Sequence, residues 1–389
     1  MAVAAHQVRI LEALRPFIDA IVELAPAASD PDACDFLAGN PEVPAIPGYV
    51  GTLAGWLEPR HRRWFAYGMA DPAAQEAAAG SLSAELGLSF EPDDIVLTRG
   101  AHGALALAMS MVLDPGDEVL FVSPPWFFYE ALILGVHAVP VRVCADQGTW
   151  DLDLRAIERA LTPKTRMVLV NSPNNPTGRI YPAETLQRLG ALLERHSAAT
   201  DRVVYLLSDE SYSRILFDGN RMVTPAAHYP ASLLVHTFSK STLAPGQRLG
   251  YLALPPALPD RAALRMTALT AALATGNALP DSVMQYALPE LEHLVVDVDH
   301  LQARRDRMLD ALRASGYQVH TPEATFYLLV RSPDPDDVAF ARRLRDERVL
   351  VLPGHVFEMP GWFRISLTAS DEMVDRALPV FERAMAERR

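Results

Sequence analysis

Lys240 stands in the run Thr237-Phe238-Ser239-Lys240-Ser241-Thr242, and Arg248 follows eight positions later, ahead of Leu249-Gly250-Tyr251. Upstream come Asn171-Ser172-Pro173-Asn174-Asn175-Pro176-Thr177-Gly178 and Ser208-Asp209-Glu210-Ser211-Tyr212. An amine, an acid, cations and several small donors in that order are the parts needed to hold an aldehyde cofactor that carries a phosphate. The amine bonds the aldehyde, a carboxylate steadies a protonated ring nitrogen, and hydroxyls, amides and a guanidinium take the phosphate. An amine that attacks a carbonyl must be neutral near pH 7, which burial and neighbouring cations favour.

The flanking residues extend this chemistry. Asp209 ends an apolar strand pattern and is placed to face a ring nitrogen, whereas Glu210, next along a strand, points to the opposite side. Tyr212 and the Asn175 amide are further hydrogen-bond donors beside Asp209. Thr98-Arg99-Gly100-Ala101-His102-Gly103-Ala104-Leu105 runs from a strand into a helix, where free backbone amides and the helix dipole make an anion site. Gly100, Ala101 and His102 lie where a phosphate approaches, and Thr237, Ser239 and Arg248 complete the cup. Trp126, in Ser123-Pro124-Pro125-Trp126, offers an apolar face for a ring. Each residue also has a plainer reading: Asp209 as a helix cap, Asn175 as an Asn-Pro turn, His102 as a first-turn histidine, Trp126 as core.

With Asn-Pro-Thr-Gly, Asp-x-x-Tyr and Ser-Lys-Ser at these distances, the chain resembles the fold-type I pyridoxal-phosphate enzymes. Within them it is similar to the class I/II aminotransferase family, from about Leu37 to the C-terminal helix. The resemblance implies pyridoxal 5'-phosphate in a Schiff base with Lys240, Asp209 on the ring nitrogen, Tyr212 on the phenolic oxygen and Trp126 stacked on the ring. It also implies that Arg364, in Phe363-Arg364-Ile365-Ser366, grips a substrate α-carboxylate, a task suited to a planar guanidinium fork. Gly39, in Leu37-Ala38-Gly39-Asn40-Pro41, matches a substrate-side glycine, and Asn175 also faces substrate. Tyr67 resembles a tyrosine that reaches the phosphate of a neighbouring subunit, in a homodimer with shared active sites. Relatives usually continue there with a glycine and a Leu-Arg pair; this chain has Asp71-Pro72-Ala73-Ala74-Gln75-Glu76. A histidine at 102 is a second departure, touching either phosphate or substrate.

The implied reaction passes an amino group from an α-amino acid to a 2-oxo acid. Two alternatives stay open: a lyase, decarboxylase, racemase or cyclase that starts from the same cofactor linkage, and a non-catalytic regulator on the same fold. No arginine occurs between Met266 and Leu301, a region near the substrate side chain in the resembling family, which disfavours a dicarboxylate substrate.

Composition sets the bounds. The 389 residues carry 48 acidic and 35 basic side chains, a formal net charge of −13, which argues against a nucleic-acid partner. Two cysteines, Cys34 and Cys144, make no disulfide framework and fit a reducing, cytoplasmic setting. No run of 18 uncharged apolar residues is present, so no membrane span is expected. The eleven histidines show no metal-ligand spacing.

The elements that must position these residues follow from hydrophobic pattern. Short, uniformly apolar runs at Ile95–Thr98, Glu118–Val122, Ala138–Val143, Met167–Val170, Val203–Ser208, Leu233–Phe238 and Tyr251–Leu254 read as strands covered on both faces. Helical patterns at Ala101–Leu113, Phe127–Leu134, Leu154–Leu161 and Ala183–His196 lie between several of them. The result is an α/β unit with a mostly parallel seven-stranded sheet, ligands binding at its strand ends. Beyond Pro256 the pattern changes to helices at Arg261–Ala274, Ser282–Ala314, Asp336–Asp346 and Asp371–Glu387. Short strands at Tyr317–His320, Thr325–Val330, Val349–Leu352 and Phe363–Leu367 accompany them. The predicted division is a large cofactor-binding domain, 45–280, and a smaller α+β domain, 281–389, joined by 1–44. The N-terminal stretch predicts a helix packed through Val8, Leu11, Leu14, Ile18 and Val22.

Overall fold

The structure, a computed structural model, describes residues 3–387. Along the chain run α1 (Ala5–Leu24), β1 (Cys34–Phe36), α2 (Tyr49–Gly55), α3 (Pro72–Leu86), β2 (Ile95–Thr98), α4 (Gly100–Val112) and β3 (Glu118–Ser123). Next come α5 (Tyr129–Gly135), β4 (Val139–Cys144), α6 (Leu154–Ala160), β5 (Thr165–Asn171), α7 (Ala183–Thr200), β6 (Tyr205–Asp209), β7 (Ser232–Thr237), α8 (Phe238–Ser241) and β8 (Gly250–Ala253). The remainder is α9 (Arg261–Thr275), α10 (Ser282–Leu291), α11 (Val298–Ala314), β9 (Tyr327–Arg331), α12 (Asp337–Asp346), β10 (Val349–Pro353), β11 (Trp362–Ser366) and α13 (Asp371–Ala386).

Seven strands form one sheet in the order β2-β8-β7-β6-β5-β3-β4. Its neighbours are parallel except β8, which runs antiparallel to both β2 and β7. The central strands carry Val, Leu and Met on both faces because helices cover both, and residues 167–170 and 205–208 are buried throughout. Each such side chain stabilises the fold by ~1.5–3 kcal/mol. Register sets the site. Asn171 pairs with Asp209, Asp209 with Val235, and Thr237 with Gly250, so three parallel strands deliver their carboxyl ends to one edge. A second sheet of four strands, β1-β10-β11-β9, carries Arg364 on β11. Residues 34–36 belong to it through parallel pairing of β1 with β10.

Beyond β1, α2 and the short α8, which the pattern reading did not contain, the structure departs from it at four places. The helix expected over Ser282–Ala314 is two helices, α10 and α11. Pro289 weakens the first, and Asp297 caps the second by accepting from the His300 amide at 2.9 Å. Between them the Val296 amide donates to the Ser241 carbonyl at 2.7 Å, tying the break to the lysine helix α8. The strand expected at Tyr317–His320 is a single bridge, Val319 to Val330. α1 buries Ala20 and Leu24, while Leu11 and Val22 are exposed. A helix apolar over a wide arc does not reveal by spacing which part of that arc is covered. Lastly, Asp71-Pro72 starts α3: the Asp71 carboxylate accepts from the Ala74 amide at 3.1 Å, and Gly87 at φ +67 stops the helix.

Gly250 makes the closest backbone approach beneath the site. A Cβ there would lie 2.5 Å from the His236 carbonyl and 2.9 Å from the Gly100 backbone. Gly250→Ala should therefore lower stability by about 1–3 kcal/mol. The check is urea denaturation, where the midpoint should fall with the slope unchanged; an unchanged midpoint would contradict the packing account.

Candidate active site

The strand ends, the start of α4 and the loops around β1 and β11 enclose a cavity of about 410 Å³. Its lining includes Gly39, Ala101, His102, Trp126, Asn175, Asp209, Tyr212, Thr237, Ser239, Lys240, Arg248 and Arg364. Gly100 lies just behind, at φ +71, and a Cβ on it would fall 2.6 Å from the Arg248 guanidinium. Tyr67 is elsewhere: it is 96% exposed and does not line the cavity.

At one end is an anion cradle. Arg248 donates to the Ser239 hydroxyl at 3.1 Å and to the Pro245 carbonyl at 2.7 Å. Thr237 donates to the same Ser239 oxygen at 3.0 Å, and the start of α4 contributes Ala101 and His102. No carboxylate lies within ion-pair distance of Arg248 among the described residues. Burial pushes its guanidinium below the usual value. Helix-start amides, two hydroxyls and an unpaired cation match a phosphate.

Asp209 forms the floor, 5% exposed. One carboxylate oxygen accepts from the Ser211 hydroxyl at 2.6 Å and the Ser211 amide at 3.2 Å; the other accepts from the Tyr129 hydroxyl at 2.7 Å. Burial raises its pKa, opposed by those bonds and, more weakly, by the charge of Lys240. Lys240 extends over the cavity from α8, its Nζ 5.7 Å from the ring centres of both Tyr212 and Phe326.

The opposite wall belongs to Arg364, 3% exposed on β11. Its two terminal nitrogens donate to the Asn175 side-chain oxygen at 2.9 Å and the Leu37 carbonyl at 3.0 Å. Its Nε is buried with no partner. The guanidinium lies 3.9 Å over the Tyr327 ring, and no carboxylate pairs with it among the described residues. Burial drives the Tyr212 phenol well above its usual value, and Tyr327 stands 3.5 Å from it. Burial opposes ionisation of Tyr327 too, but the Arg364 and Lys240 cations outweigh it and lower that phenol. Gly39 is small by necessity, since a Cβ there would meet the Tyr327 hydroxyl at 2.6 Å.

Several cavity residues lay outside the sequence reading. Asn171 donates to the Asp209 carbonyl at 2.9 Å and accepts from the Asn175 amide at 2.8 Å, locking two strand ends together. Tyr129, visible in the sequence only as one of several aromatics, holds Asp209. Phe17 and Ile21 reach the cavity from α1, on the helical face that spacing did not select. Lys240 is one of two lysines in the chain, the other being exposed Lys164; that count was available from the sequence.

The model of the family "Aminotransferase class I and II" matches residues 58–381. The chain is 31% identical over 366 residues to the aspartate/prephenate aminotransferase of Thermus thermophilus, covering 91% of each chain. It is 32% identical over 368 residues to an aspartate aminotransferase of Rhizobium meliloti, covering 88% of this chain and 86% of that one. Among solved structures, an amino transferase of Eubacterium rectale superposes with a TM-score of 0.90 at 28% identity, covering 100% and 99%. The Thermus thermophilus aspartate aminotransferase with maleate gives 0.81 at 30% identity, covering 99% and 100%. This chain belongs to the class I and II aminotransferase family. It is a transferase on the fold-type I α/β scaffold, acting on an amino acid and a 2-oxo acid.

Glu210, beside Asp209, faces away from the cavity and accepts from Ser208 at 2.9 Å and Thr224 at 2.8 Å. Burial pushes its carboxyl from 4.5 up to about 8. Between those values the folded protein keeps a proton that the unfolded chain has released, so this group's contribution to stability falls as pH rises through the window. Glu210→Gln removes that titration. Relative to wild type, the variant should gain more than ~1 kcal/mol between pH 5 and pH 8. Denaturation curves at the two pH values test this, and parallel profiles would contradict it.

Proposed function

We propose that this aminotransferase anchors pyridoxal 5'-phosphate covalently on Lys240 and takes α-amino acids whose carboxylate is gripped by Arg364. The observation that carries this reading is the buried, uncompensated Arg364 guanidinium facing the cavity that holds Lys240. A cation so placed requires an anion, and its planar fork suits a carboxylate.

The residues fit the cofactor at each of its polar ends. Arg248, Ser239, Thr237 and the first amides of α4 would take the phosphate, with Gly100 leaving room for Arg248. Asp209 would hold the proton on the ring nitrogen, positioned by Tyr129 and Ser211. Asn175, its side-chain oxygen already committed to Arg364, has its amide nitrogen free and would donate to the phenolic oxygen, with Tyr212 as a second donor. Trp126 would cover the ring. When bound, the cofactor supplies an electron sink for the electron pair left at the substrate Cα. Arg364 fixes the substrate carboxylate and so presents Cα to Lys240. Lys240 Nζ is placed to act as the base that takes the Cα proton; with the cofactor bound it would pass that proton to the cofactor's aldehyde carbon in the first half and carry the opposite transfer, back to Cα, in the half with a 2-oxo acid. His102 lines the substrate side, and burial followed by the charge of Arg248 lowers its pKa.

A homodimer with shared sites is part of this proposal. Val50, Leu57, Phe65, Tyr67 and Met69 present large apolar side chains to solvent within twenty residues, and Met266, Leu269 and Leu273 add another exposed row. A second copy covering them would bring Tyr67 toward its neighbour's phosphate cradle. So is the division into 45–280 and 281–389 with 1–44, supported by the two sheets. A reducing, cytoplasmic compartment is supported by two free cysteines, and no helix of the described residues is long and apolar enough to cross a membrane.

Losing the bidentate grip should cost ~2–5 kcal/mol in substrate binding. Arg364→Lys should therefore lower kcat/KM for amino acids by roughly 30-fold to a few thousandfold while cofactor absorbance persists. Comparing an amino acid with its decarboxylated amine is the check. A wild type that prefers the amine, or a variant with intact amino-acid turnover, would require the reading to be abandoned.

A further inference from the structure

The substrate end of the cavity differs in character from the end that holds charge. Of the charged side chains lining it, Asp209, Lys240, Arg248 and Arg364 all have work at the cofactor or the α-carboxylate. Away from the residues assigned to the cofactor and the α-carboxylate, the lining includes Phe17, Ile21, Phe127 and Asn40, and His102 and Trp126 border them from the cofactor side. Phe17 stacks on Phe127 with ring centres 4.4 Å apart and planes 15° from parallel. Phe127 packs on Phe128 at 4.8 Å, and His102 meets Trp126 edge-on at 5.6 Å. Neither polar member brings a fixed charge: Asn40 is an amide, and burial followed by the charge of Arg248 lowers the pKa of the His102 imidazole. The wall is held in place from outside, since Glu23 pairs with Arg342 at 2.5 Å and with Arg345 at 3.1 Å, fastening α1 to α12.

A carboxylate side chain seated here would lose its hydration with no cation from this chain to replace it. An aromatic or bulky apolar side chain would instead bury surface against rings already arranged for offset or edge contact. We propose that this enzyme selects amino acids with aromatic or bulky apolar side chains rather than dicarboxylates, and that Phe17 on α1 is the residue that sets the preference. The proposal rests on the amino-acid transamination reading for its substrate and separates from it in the test below. The relatives named for aspartate make the prediction specific to the side chains this chain places at Phe17, Phe127 and His102.

The test is binding to the holoenzyme, independent of turnover. Substrate-like acids without an amine, 3-phenylpropionate and succinate, are titrated while the absorbance of the bound cofactor is followed. Full burial of an aromatic ring predicts that 3-phenylpropionate binds roughly tenfold to a hundredfold tighter than succinate. Phe17→Ala should erase most of that difference, and Phe17→Leu should restore part of it. In turnover, Phe17→Ala should raise KM for phenylalanine by a larger factor than it raises KM for alanine, whose side chain is a single methyl. Succinate binding as tightly as 3-phenylpropionate would overturn the proposal, as would a cation supplied by a second copy and seen as aspartate preference. Equal weakening of both acids in Phe17→Ala would reduce Phe17 to a structural role and overturn it too. If 3-phenylpropionate binds selectively while no amino acid is converted, the side-chain subsite stands and the transamination reading fails.

Discussion

A guanidinium buried without a counter-anion is one of the most costly groups a fold can hold, and Arg364 is such a group. Much of the cavity can be traced to keeping it there. Asn175 and the Leu37 carbonyl take its two terminal nitrogens, and the Tyr327 ring supports its face. These are partial substitutes for a carboxylate, because none carries charge in its ordinary state. The same holds at the other end, where Arg248 has only hydroxyl and carbonyl partners, and at the floor, where Asp209 has only hydroxyls and an amide. Two buried charges of opposite sign, Arg364 and Asp209, with the more exposed Arg248 beside them, leave the surroundings of one amine electrostatically incomplete, and the proposed phosphate, ring cation and carboxylate would complete them.

The sheet makes that arrangement possible. Parallel strands β5, β6 and β7 bring Asn171, Asp209 and Thr237 to one edge, because register aligns their carboxyl ends. β8 then reverses direction, and its first residue, Gly250, lets the backbone at Gly100 approach β7 more closely than any side chain would permit. The acid is held by Tyr129, the first residue of α5, and Asn175 is held by Asn171. Positions that must be accurate to a fraction of an ångström are thus built on the most buried part of the molecule, where side chains have the least freedom to move.

Much of this was legible in the sequence for physical reasons that differ by region. The central strands were readable because burial on both faces leaves uniformly apolar runs, and Asn175, Asp209, Lys240 and Arg248 because their residue types stand at fixed spacings in short motifs near the ends of those runs. What escaped was set by tertiary contact. Phe17 and Ile21 lie on a helix whose apolar arc is wide, so its inward face is decided by what packs there. Tyr129 looked like one aromatic among many until its hydroxyl met Asp209. The break between α10 and α11 depends on the Val296 amide finding the Ser241 carbonyl, a contact across more than fifty residues. By contrast, α3 was missed although Asp71-Pro72 and Gly87 are local start and stop signals.

The central claim is that Lys240 carries the cofactor, and the composition makes it directly measurable. The chain has two lysines, Lys240 in the cavity and Lys164 exposed at the turn before β5. Borohydride reduction of the protein loaded with pyridoxal phosphate, followed by peptide mapping, would fix the cofactor to whichever amine holds it. The account predicts one pyridoxyl group per chain, on Lys240. A label on Lys164, or no label on a protein that retains the cofactor's absorbance, would contradict it.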